Sequence, residues 1–174
     1  MNHYTPFNIE GLNKIELVEA SMVLNITPGD VLTGAPVRLV LQFGASFEAI
    51  PMVKGSGQFT EEHQRDSSGD HFMQNIAFSH AKNRKEADTW LLTNQHKDFI
   101  VKVTDRNLNI RIIGSIESPA RLSAPMNNPA SGRNEYAFTF YAESDDRVPY
   151  LQDGEAVTNA GKSFSTDFST DFSL

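Results

Sequence analysis

Three stretches of this sequence hold residue types that carry out chemistry in other proteins. The first is Asp105-Arg106-Asn107, set between two alternating apolar runs in FIVKVTDRNLNIRIIGS, 99–115. A catalytic Asp needs a partner that shifts its pKa and a pocket to work in. The surrounding sequence offers two strands instead, and Asp and Asn favour the backbone conformations of a tight connection. A hairpin is therefore expected here. The second stretch gathers Glu61, Glu62, His63, Asp66, Asp70 and His71. Imidazole and carboxylate groups bind divalent metals, and Glu61 and His63 would share one face of a strand. The cluster straddles a turn, however, and lacks HExxH or EF-hand spacing. A solvated loop is expected, with a metal-dependent enzyme as the competing reading. The third is KGSGQF, 54–59. A phosphate cradle needs a longer glycine frame that opens a helix, whereas a β-run follows here, so a turn or bulge is expected. There is no G-x-S-x-G frame, and His3, His80 and His96 are isolated. No catalytic, cofactor-binding or metal-binding residue is assigned.

The elements that would position these residues are mostly strands. Period-two alternation marks half-buried strands. It places Val37, Leu39, Leu41 and Phe43 on one face, and Phe72, Ile76 and Phe78 on another. Phe99, Val101 and Val103 share a side, followed by Ile110, Ile112 and Ile116, and then Tyr136, Phe138 and Phe140. Residues 15–26 and 58–63 are also strand-like. Turn chemistry separates these runs at TPGD (27–30), GAP (34–36), KGSG (54–57) and RDSSGD (65–70), the last joining two strands as a long hairpin. The Pro/Asn/Gly segment 124–134 is too long for a tight turn and reads as an excursion. One stretch, 83–95, is rich in helix formers. Ala87, Trp90 and Leu91 stack at helical spacing, Lys85, Glu86 and Asp88 point away, and Asn83 is placed to cap the helix. Trp90, the sole Trp, is expected to pack rather than to serve as a ligand platform.

The expected fold is mainly β, a sandwich or barrel over residues 1–151, with one flanking helix near 84–95 and long loops. Residues 152–174 read as a low-complexity C-terminal extension in which FSTD occurs twice, so that Phe164, Phe168 and Phe172 recur every four residues. Such spacing suits anchors that dock on a neighbour, either as a helix face or as an extended strand.

Composition narrows the function classes. The chain has 174 residues, 39% of them hydrophobic, and no cysteine, which excludes disulfides, thiolate metal sites and Cys nucleophiles. The start MNHYTPFNIEG shows no signal-peptide pattern. No run approaches the ~18 apolar residues of a membrane span, so a soluble protein made in the cytoplasm is expected. The formal net charge of −7 is opposite to the basic footprint of a nucleic-acid binder.

The order of these segments is itself informative. GSGQFTEE, GDHFMQNIAFSH, a short helix, FIVKVTDRNLNIRIIGSIESPARLSA, a loop and RNEYAFTFYAESDDRVPYL follow one another. Over residues 8–151 this resembles the small β-rich tail-tube and tail-ring proteins of tailed bacteriophages, including crAss-like gut phages. The resemblance implies a non-enzymatic virion protein in a tail or head–tail junction, made in the host cytoplasm. It would form a homo-oligomeric ring or tube, contact neighbouring virion proteins and let DNA pass through without specific binding. It carries no cofactor and no catalytic residue across. The segments 27–36, 65–70 and 124–134 would serve as arms between subunits. Contacts with other subunits or partners are expected at Asn127, Asn128, Pro129 and Arg133, and at Phe164, Phe168 and Phe172. The alternative is a monomeric β-sandwich module that binds carbohydrate or a protein partner.

Overall fold

The structure is a computed structural model that describes residues 11–27, 37–67, 69–81, 85–124, 126–127, 135–148, 150–151 and 157–159. Over the described residues it is mainly β and sandwich-like, without a closed barrel. In chain order the strands are β1 (Leu12–Glu19), β2 (Val23–Thr27), β3 (Arg38–Leu41), β4 (Glu48–Ala49), β5 (Gln58–Asp66) and β6 (Gly69–Ala81). Helix α1 (Lys85–Asn94) follows, then β7 (Asp98–Asp105), β8 (Ile110–Ile113), β9 (Ala120–Ser123), β10 (Met126–Asn127), β11 (Glu135–Ser144), β12 (Tyr150–Leu151) and β13 (Val157–Asn159).

Ten of these strands form one folded sheet. Its first half runs β4-β1-β7-β8-β12, and its second half runs from β11 through β6 to β5, with β10 also paired to β11. Strand β9 joins the halves, its Ala120 pairing with Phe99 of β7 and its Leu122 with Phe140 of β11. All these pairings are antiparallel. A separate sheet, β13-β3-β2, covers the outer face of the first half.

Alternation explains the two cores. Odd-numbered residues of β7 (Phe99, Val101, Val103) join Ile15 and Leu17 of β1, Ile76 and Phe78 of β6, and Phe138 and Phe140 of β11 in the larger core. Ile100 and Val18, of opposite parity, join Leu39, Leu41, Val37 and Ile112 in the smaller one. Strands β1 and β7 are thus covered on both faces, which is why FIVKV reads as an almost unbroken apolar run. The aromatic residues stack in depth. Phe78 lies 5.3 Å from Phe138, and Phe99 meets Phe140 edge-on at 5.9 Å.

Several expectations are corrected. Phe43 does not continue the buried face of Leu39 and Leu41. Strand β3 stops at Leu41, the Ala45 amide donates to the Gln42 carbonyl to close a turn, and Phe43 is left 79% exposed. Ile116 likewise lies beyond β8 and is exposed, because the chain turns at Gly114, where φ is +84°. The 65–70 segment is no excursion, since Asp66 pairs with Gly69 and only two residues separate them. The region 15–26 is two strands broken by a 3-10 turn at Ala20–Met22. The expected helix is present within one or two residues of its bounds. Its Ala87 is buried, and Trp90 packs edge-on against Phe138 at 5.9 Å. Asp88, expected to point away, instead accepts a hydrogen bond from the Tyr136 hydroxyl and ties α1 to β11. Asn83 lies outside the described residues. No helix among the described residues is long and apolar enough to cross a membrane.

Candidate functional site

The hairpin expected at Asp105 is present, and its chemistry is structural. Oδ1 of Asp105 accepts from the amides of Asn107 (2.8 Å) and Asn109 (2.9 Å), while Oδ2 accepts from Nδ2 of Asn109 (2.8 Å). Both carboxylate oxygens therefore hold the β7–β8 connection in shape. Asp105 borders a small cavity of about 170 Å³ but is already engaged in the turn.

The acidic and histidine cluster is dispersed across the β5–β6 hairpin. Side chains of one parity on β5, Glu61 and His63, face opposite to Glu62. Oε2 of Glu61 accepts the Val148 amide at 2.7 Å and so fastens the chain after β11. Asp70 pairs with Arg65 at 3.2 Å, with His63 at 4.0 Å. Among the described residues no three metal-binding side chains converge, and the Asp66 side chain lies outside those described. KGSG is a turn. The Ser56 hydroxyl donates to the Val53 carbonyl (2.8 Å) and accepts from the Ser79 amide (3.0 Å), which pins the connection to β6 before β5 starts.

The charged groups that titrate away from their usual values also serve the fold. Burial raises the Glu16 carboxyl, but Lys14 and Lys102, at 2.8 and 3.0 Å, outweigh it and hold the group below its usual range. Lys102 is the cross-strand partner of Glu16 and also lies over the Phe47 ring at 4.8 Å. Glu19 is held low by the Ser21 hydroxyl and then by Lys97. Tyr136 is pushed up by its bond to Asp88.

Two surfaces remain as candidates for interaction. The first is the outer face of β5, β6 and β11. Register aligns Glu62 with Met73 and Glu143, Thr60 with Asn75 and Tyr141, and Gln58 with Ala77 and Thr139. Paired residues share a face, so this surface is polar and, among the described side chains, bears the carboxylates of Glu62 and Glu143. No Lys or Arg of these three strands lies on it. Arg121 of β9 stands at its flank, opposite Tyr141, and is paired with Asp98 at 3.2 Å. Strand β5 ends the sheet, and among the described residues nothing pairs with its far edge.

The second surface is an apolar groove of about 1090 Å³ between α1, β1 and the 43–52 segment. Met22, Phe43, Met52, Trp90 and Phe138 line it, with the Glu19–Lys97 ion pair (3.0 Å) in its wall. Sequence reasoning did not find it, because its lining comes from segments far apart in the chain. The one local signal was Gly44, which breaks the alternation just after Phe43.

Of the residues expected at subunit contacts, Asn127 is placed in β10, where it pairs with Glu135 of β11. The supposed excursion therefore begins as a strand. Asn128, Pro129, Arg133, Phe164, Phe168 and Phe172 lie outside the described residues. Three residues of the expected extension, Val157–Asn159, form β13 on β3. Comparison of the chain with known protein families, curated proteins and solved structures finds no match.

Proposed function

We propose that this chain is a non-enzymatic structural protein that assembles with copies of itself into a ring or tube, as in the tail or head–tail junction of a tailed phage. The observation that carries this reading is the open edge of β5. Nine residues long, it borders a polar sheet face that displays Glu62 and Glu143. An unpaired strand edge is a template for the backbone of another chain, and a closed ring uses up such edges. Copies joined there would extend the polar face around a channel. A lining with carboxylates and few cations repels phosphate and lets DNA pass without gripping it. The acidic net charge of −7 and the resemblance in segment order support the same reading. Neighbouring virion proteins and a place in the virion follow from it.

The edge itself provides the test. Lysines guard natural edge strands against pairing, and Glu62 and Gln64 are both exposed. Glu62→Lys combined with Gln64→Lys is expected to reduce the assembled mass while changing stability by no more than ~0.5 kcal/mol. Assembly that is unaffected by the double variant would remove β5 from the interface. A wild-type chain that stays monomeric would favour the binding-module reading instead.

A further inference from the structure

Strand β13 leads the chain toward the apolar groove. It runs parallel to β3 and places Asn159 opposite Leu41. Just beyond Leu41 on the β3 side come Phe43 and Gly44, which form the groove rim. Because the pairing is parallel, β13 runs in the same direction as β3, toward that rim. The rim is apolar and open. Phe43 is 79% exposed, and Met22, whose carbonyl accepts the Gln42 amide, is 41% exposed. Next to a groove lined by Trp90 and Phe138, these side chains form an apolar patch, unpartnered among the described residues, of the kind that marks a binding surface.

The segment that follows β13 has matching chemistry. It carries Phe164, Phe168 and Phe172, with Asp167 and Asp171 between them. Five extended residues reach about 17 Å, so the first Phe is within range of the rim. We propose that the groove between α1 and the 43–52 segment receives residues 160–174 of the same chain, with the three phenylalanines as anchors. The groove's volume of about 1090 Å³ is slightly above the range of ~300–1000 Å³ typical of ligand pockets. Each buried phenylalanine hides ~150–250 Å² from water. Lys97 in the wall supplies a cation for the two aspartates, shared with Glu19. Tethering by β13 raises the effective concentration into the ~mM range, so modest contacts suffice. The occupant is the chain's own segment because its own β13 brings it there. The inference stands whether or not the chain assembles.

The absence of native cysteine makes a clean cross-linking test possible in the full chain. Ser46→Cys, in the groove lining, is combined with Ser169→Cys and treated with a short bismaleimide. The control pairs Ser169→Cys with Ser67→Cys at the β5–β6 tip, an exposed residue that does not line the groove. The expected result is a within-chain cross-link formed about tenfold faster than in the control. The link is lost when Phe164, Phe168 and Phe172 are all replaced by Ser, and the fluorescence of Trp90, the sole Trp, then shifts to the red. Circular dichroism of each variant checks the fold. Equal rates in the two pairs, or a cross-link indifferent to the Phe replacements, would overturn the proposal. So would a product at dimer mass, which would assign the groove to a second copy.

Discussion

Two glycines share one backbone angle and differ in what surrounds them. Gly55 and Gly114 both have φ of +84°. Among the described residues a Cβ at Gly55 would meet only the Arg106 guanidinium, at 3.4 Å. At Gly114 it would lie 2.8 Å from the Ala120 amide nitrogen and 3.2 Å from the Phe99 carbonyl oxygen. Those two residues are the register pair through which β9 joins β7, so the clash is with backbone at the joint of the folded sheet. Replacement by Ala adds left-handed strain of ~1–2 kcal/mol at either site. A less flexible unfolded chain offsets this by ~0.4–1 kcal/mol. Gly55→Ala should therefore cost about 1 kcal/mol. At Gly114 the overpacked methyl adds ~1–3 kcal/mol, for a total of about 2–4 kcal/mol. Urea unfolding at fixed chain concentration, followed by circular dichroism and Trp90 fluorescence, measures both. Equal costs within ~0.5 kcal/mol, or a larger cost at Gly55, would refute the close approach of β9 to β7.

Two further predictions concern the first half of the sheet. Glu16 titrates below its usual value near 4.5 because Lys14 and Lys102 outweigh its burial. The stability it contributes is then fully present above that value and is lost as pH falls through the depressed one. Acid titration of the urea midpoint should show a shallower fall in Glu16→Gln than in the wild type, and parallel curves would contradict the pairing. Leu108 is 66% exposed with φ of +67° in the β7–β8 turn. Leu108→Gly relieves ~1–2 kcal/mol of strain and adds ~0.5–1 kcal/mol of unfolded-chain entropy. A net gain of about 0.5–1 kcal/mol is expected, raising Tm by ~2–4 °C per kcal/mol. A lower Tm would show that Leu108 makes contacts worth more than its strain.

The parts of the fold that depend on neighbours in sequence were legible. The Asp105 turn, the β5–β6 hairpin and the helix around Ala87, Trp90 and Leu91 all follow from local turn chemistry or spacing. Alternation also identified the larger-core faces of β7 and β11. It was silent about Ile100, which is buried as well, because nothing local announces that a second sheet covers the other side of β7. Alternation misled at Phe43 and Ile116, where strands end one turn earlier than the apolar pattern does. The polar outer face was present in the sequence as the other half of the β5 and β6 pattern, in Thr60, Glu62, Asn75 and Ala77. The groove was not, because helix, loop and strand residues meet there only through tertiary packing.

The most direct test of the central claim is the mass of the full chain in solution, measured by light scattering on a sizing column across a range of concentrations, with negative-stain images of the same fractions. Assembly through the β5 edge predicts species well above the 19.3 kDa of one chain, growing with concentration and imaged as rings or tubes. A single species at 19.3 kDa at every concentration, with no ring in any image, would contradict it.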